Sequence, residues 1–112
     1  EHIPYEQAKE GLQEIHRVSS RGAVISLPDA TRTARIEFPI PKFGKVRRLF
    51  IIPKLFPAEH KITEHGHYWE IGKRGFLLDK VSADIEEAGF IIKKTYRVFE
   101  NPYHRFFVLE KK

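Results

Sequence analysis

At 112 residues the chain is long enough for one domain and no more. Its hydrophobic content of 41% and charged content of 31% are ordinary for a soluble globular chain, and no apolar run approaches the roughly 18–20 residues needed to span a bilayer. The formal net charge of +5 suits anionic partners, and the absence of cysteine excludes disulfides and thiolate metal sites and fits a reducing cytoplasm.

From Pro4 to about Val18 the pattern is helical. Ala8, Leu12, Ile15 and Val18 recur at helical spacing, and Pro4 suits a first turn, where its missing N–H needs no partner. Ser19-Ser20-Arg21-Gly22 is turn chemistry. "GAVISLP" follows, a short and nearly continuous apolar run. It predicts a strand buried on both faces, as in a parallel sheet covered by helices.

Asp29 to about Gly75 reads as a lid-like insertion. Its prolines, in "EFPIPKFG" and "IIPKLFP", predict broken helical pieces and loops. "KVRRLFIIPKLF" mixes basic and apolar residues, as a short amphipathic lid helix or a surface-seeking segment does, and could meet RNA or acidic lipid, though it carries no nucleic-acid motif. "EHGHYWE" gathers titratable nitrogens and aromatic walls: His65, His67, Tyr68 and Trp69. His60, His65 and His67 with Glu59 or Glu64 could also hold zinc, but their spacing matches no standard metal motif.

Regular order returns at about Leu77. Leu78, Val81, Ile85 and Ala88 share a helical face, and Gly89 follows as the expected left-handed stop. "FIIKKTYRVF" and "RFFVLEK" read as strands joined by the turn "ENPYH", and so short a connection makes them an antiparallel hairpin. Arg97, Tyr103, His104 and Arg105 surround that turn and read as hairpin-tip surface, with an anion grip as the alternative. The expected fold class is therefore α/β: helices on a mainly parallel sheet, closed by a C-terminal antiparallel β-hairpin, in a single domain spanning residues 1–112.

With that order in hand, "EHIP" joined to "LQEIHRVSSRGAVISLP", and "DIEEAGFIIKKTYRVFENPYHRFFVLEK" at this distance from it, resemble the C-terminal half of a class I S-adenosylmethionine-dependent methyltransferase. The resemblance covers nearly the whole chain and is least specific in the insertion. It implies a partial Rossmann-like sheet and methyl transfer to an unidentified nucleophile. It implies that Glu1, His2 and Ile3 lie in a loop touching the cofactor, that Pro28 and Asp29 lie at the same rim on the substrate side, and that His65, Tyr68 and Trp69 cover the substrate. His67 and His2 are then the first candidates for a proton acceptor.

The chain departs from that family in having no glycine-rich turn after a first strand and no acidic residue ending a second, the two features that grip a nucleotide-like cofactor. The expectation is that a cofactor-binding half lies outside these residues, supplied by a preceding segment or by a second subunit. The alternative is a non-catalytic remnant or basic binding module that docks a partner chain or nucleic acid.

Overall fold

A computed structural model describes residues 1–52, 58 and 66–112. Helix α1 is Tyr5–Val18, with Pro4 in extended conformation as its N-cap. Then come strands β1 (Gly22–Pro28), β2 (Thr33–Ile40) and β3 (Gly44–Ile51), helix α2 (Leu78–Glu87), and strands β4 (Phe90–Arg97) and β5 (His104–Lys111). No helix among the described residues is long and apolar enough to cross a membrane.

The main sheet has the order β1-β5-β4. β5 runs antiparallel to both neighbours, pairing Ile25 with Phe107 on one side and Ile92 with Leu109 on the other. β1 and β4 therefore point the same way, and a bulge at Lys93 separates the Ile92 and Lys94 pairings. The expected closing hairpin is present. The expected parallel neighbours of β1 are not: every paired strand among the described residues is antiparallel, so the architecture established is mixed α/β with antiparallel sheets.

Both helices pack on one face of this sheet. Val81 and Ile85 of α2 meet Phe90, Phe107 and Leu109, and Tyr5, Ala8, Leu12 and Ile15 of α1 lean on the same cluster. α2 ends as expected, with Gly89 at φ 107°, a conformation that costs a side-chain-bearing residue about 1–2 kcal/mol. The opposite face is left open, and Val24 in the middle of β1 is 66% exposed. This corrects the expectation of a strand buried on both faces. One face is covered by helices and the other, among the described residues, is not.

Two further features mark incomplete coverage. β1 is an edge strand, with β5 as its partner and its outer side unpaired among the described residues. α1 has the apolar stripe of a buried helix, yet none of its residues is fully buried. Between this stripe and β1 lies an apolar cavity of about 290 Å³, lined in part by Ile3, Leu12, Ile25, Leu27 and Trp69.

The region 29–75 also differs from expectation. Where broken helices were predicted, β2 and β3 form a second, two-stranded antiparallel sheet from Thr33↔Ile51 to Ile40↔Gly44. Its turn closes through Phe43 N–H to the Ile40 carbonyl at 3.1 Å, with Lys42 at φ 72°. The described part of "KVRRLFIIPKLF" is thus mostly strand and not a lid helix; its Pro53–Phe56 portion lies outside the described residues.

Candidate functional site

The first residues and the end of the insertion meet at the carboxyl end of β1. Tyr68 N–H donates to the Glu1 carbonyl at 2.7 Å, and Ile71 N–H donates to the Pro28 carbonyl at 2.9 Å. Asp29 and Ile71 form a parallel bridge, completed by Ala30 N–H donating to the Ile71 carbonyl at 2.7 Å. Tyr68 to Ile71 is therefore a strap joining Glu1–Ile3 to Pro28–Asp29. The strap runs beside the carboxyl end of β1 and the amino end of β5.

The strap brings His2 and His67 together, although they are far apart in sequence. Their rings meet edge to face with centroids 4.9 Å apart. Glu1 Oε1 stands 3.6 Å from His2 Nε2. On the other side His67 Nδ1 lies 3.2 Å from Glu70 Oε1, with both side chains about four-fifths buried. A carboxylate on one ring nitrogen orients an imidazole and supports the positive charge it acquires on taking a proton. The His67–Glu70 pair therefore has the geometry of an oriented base. Glu70 escaped the sequence reading, although it is the last residue of "EHGHYWE" and stands three positions after His67.

Glu1, His2 and His67 also offer ligand atoms within 4.8 Å of one another. Tetrahedral zinc bonded at about 2.0–2.1 Å holds its ligand atoms roughly 3.3 Å apart. Glu1 and His2, 3.6 Å apart, come near that spacing, but not all three separations do, so His67 would have to draw in for the three to share an ion. His60, Glu59, Glu64 and His65 lie outside the described residues.

Trp69 and Tyr68 point to different surroundings. Tyr68 is 45% exposed and borders the open side. Trp69 is buried, edge to face with Tyr5 at 4.9 Å, and its indole N–H finds no acceptor among the described residues. It forms one wall of the apolar cavity that Glu1 and Ile3 also border.

Pro28 and Asp29 lie under the strap, both buried. Asp29 is engaged by two arginines. Arg105 Nε donates to its Oδ2 at 2.8 Å, and Arg97 Nη1 lies 3.4 Å from its Oδ1. Its Oδ1 also accepts the Thr31 N–H at 2.9 Å. Arg97 reaches further, donating to the carbonyls of Thr31 at 2.7 Å and of Pro102. Burial lowers the Arg97 pKa from its ordinary value, with Arg105 adding to the fall and Asp29 opposing it. This cluster ties the end of β1 to both strands of the closing hairpin. Arg97 and Arg105, read from sequence as hairpin-tip surface, are instead almost wholly buried, with side chains 2% and 7% exposed.

No protein-family model, curated protein or solved structure matches this chain.

Proposed function

We propose that this chain is the substrate-side half of an S-adenosylmethionine-dependent methyltransferase. The observation that carries the reading is the uncovered side of β1. β1 and β4 run in the same direction around an antiparallel β5, and β1's outer edge, the stripe of α1 and the apolar cavity all lie open beside the His2–His67 cluster. An unpaired edge next to an unfilled apolar groove is a ready template for a further strand. A cofactor-binding half, on the same polypeptide or on a second subunit, would pair there and place its ligand at the carboxyl rim.

The chain offers only part of a cofactor cradle: Glu1 and Ile3 border the cavity, and His2 stands exposed at the rim. Bound S-adenosylmethionine supplies an electrophilic methyl group on a sulfonium. This chain's residues do the rest. His67, oriented by Glu70, accepts the proton that the acceptor nucleophile loses. Tyr68 and the strap shield that nucleophile from water and align it.

The test is a calorimetric titration of S-adenosylmethionine into the intact polypeptide that carries this sequence, or into the complex it forms. Saturable one-to-one binding supports the proposal. Absence of binding at millimolar cofactor overturns it.

A further inference from the structure

The β2–β3 hairpin presents apolar side chains to solvent. Residues directly paired across the two strands share a face, so Arg35, Glu37, Lys45 and Arg47 lie on one side with Leu49 and Ile51, and Ile36, Phe38, Val46 and Phe50 on the other with Arg48. Two arginines of the first side reach the turn between β4 and β5. Arg47 lies 3.3 Å from Glu100, Arg35 reaches the Phe99 carbonyl, and both guanidinium groups lie within 6 Å of the Phe99 ring. The apolar side faces out. Ile36, Phe38 and Phe50 are each nearly half exposed, and Phe43 at the turn is 85% exposed. A two-stranded ribbon is marginal by itself in water, and one that turns its hydrophobic face to solvent gains nothing from that face until something covers it.

The charge pattern selects the cover. The hairpin holds Arg35, Lys42, Lys45, Arg47 and Arg48 against the single carboxylate of Glu37, and so carries most of the chain's net charge. Glu37 sits 3.6 Å from both Lys45 and Arg47. Lys42 at the turn and Arg48 on the outer face form no ion pair among the described residues. A second copy of the hairpin would bring like charge against like charge. RNA would want cations and stacking rings spread over one face. Here the face is mainly apolar, with Arg48 the one cation among Ile36, Phe38, Val46 and Phe50 and Lys42 beside Phe43 at the turn; apolar groups of such a face enter a bilayer while the long basic side chains reach its headgroups. We propose that the β2–β3 hairpin docks on a lipid bilayer bearing anionic headgroups, with Phe43, Phe38 and Ile36 entering the interface and Lys42 and Arg48 at the headgroup level.

The experiment is flotation of the intact protein with vesicles of phosphatidylcholine alone and of phosphatidylcholine mixed with phosphatidylserine. The protein is expected to float with the mixed vesicles, not with the neutral ones, and progressively less as salt is raised. Phe43→Ser should weaken binding about tenfold or more, and Lys42→Glu at least about fivefold. Unchanged Trp69 fluorescence shows that both variants are folded, since this tryptophan lies in the core. No flotation with the anionic vesicles at low salt overturns the proposal. So does binding undiminished in both variants, tighter binding to a single-stranded RNA under the same conditions, or a dimer that Phe38→Ser dissolves without vesicle binding in the parent.

Discussion

Arg105 Nε donates to Asp29 Oδ2 across 2.8 Å, and both side chains are almost entirely out of water. Removing one partner of such a pair leaves a buried charge unanswered, at a cost of about 3–5 kcal/mol. Asp29→Asn strands two arginines and should lower the denaturant midpoint sharply or abolish soluble expression. The exposed Lys93–Glu110 pair, 3.3 Å apart, is the contrast. Glu110→Gln should change stability by no more than about 1 kcal/mol in the same unfolding experiment.

Tyr5 Oη donates to Asp84 Oδ2 at 2.6 Å and joins α1 to α2. Tyr5→Phe should cost about 1.5–3 kcal/mol, the usual worth of a hydrogen bond to a charged group. The pair also sets two pH limbs. Burial alone would raise the Asp84 pKa, but hydrogen bonds from Lys80 and Tyr5 outweigh it and hold the carboxyl below its ordinary value. Its stabilisation is therefore complete above about pH 4, and is lost as pH falls through the lower folded value. Burial, then the bond to Asp84, raises the Tyr5 pKa well above its ordinary value. That contribution is complete below about pH 10 and is lost as pH climbs towards the folded value. Thermal unfolding across pH should show both limbs, with the alkaline one absent in Tyr5→Phe.

Gly72 sits beside the strap at φ 91°, and a Cβ there would come 2.5 Å from Thr31 Oγ1. Gly72→Ala combines a left-handed penalty of about 1–2 kcal/mol with that clash. It should loosen the Asp29–Ile71 bridge, seen as faster hydrogen exchange at the Ala30 and Ile71 amides.

On the methyltransferase reading proposed above, His67→Ala in the intact polypeptide should lower turnover about 10²–10⁴-fold, the usual range for a general base, with little change in melting temperature. Glu70→Gln keeps the hydrogen bond but not the charge, and should lose less. Equal turnover in parent and His67→Ala would remove this histidine from the chemistry.

The helices and main-sheet strands were legible because each carries its signal locally. Ala8, Leu12 and Ile15 of the expected stripe lean on the core, while Val18 at the end of α1 is 69% exposed; the Gly89 stop and the strand in "RFFVLEK" are present. The hairpin was also written locally, in the alternation Ala34, Ile36, Phe38, Ile40. Pro39 and Pro41 masked it, because proline reads as a breaker although an edge strand tolerates it. Arg97 and Arg105 could not be placed, since charged residues near a turn look solvated until their counter-ion is known, and Asp29 is remote in sequence. Likewise, His2 and His67 could each be picked out as titratable, but their meeting depends on the strap, and that is a property of the fold.

β1 and its partner β5 lie far apart in the sequence, with Gly22 finally set against Glu110. During synthesis the β5-facing edge of β1 therefore waits until β2, β3, α2 and β4 have been made before its hydrogen bonding can close. Loop closure over such a distance is slow. Removal of β5 should leave β1 without the neighbour that folds it and expose both of its edges to aggregation.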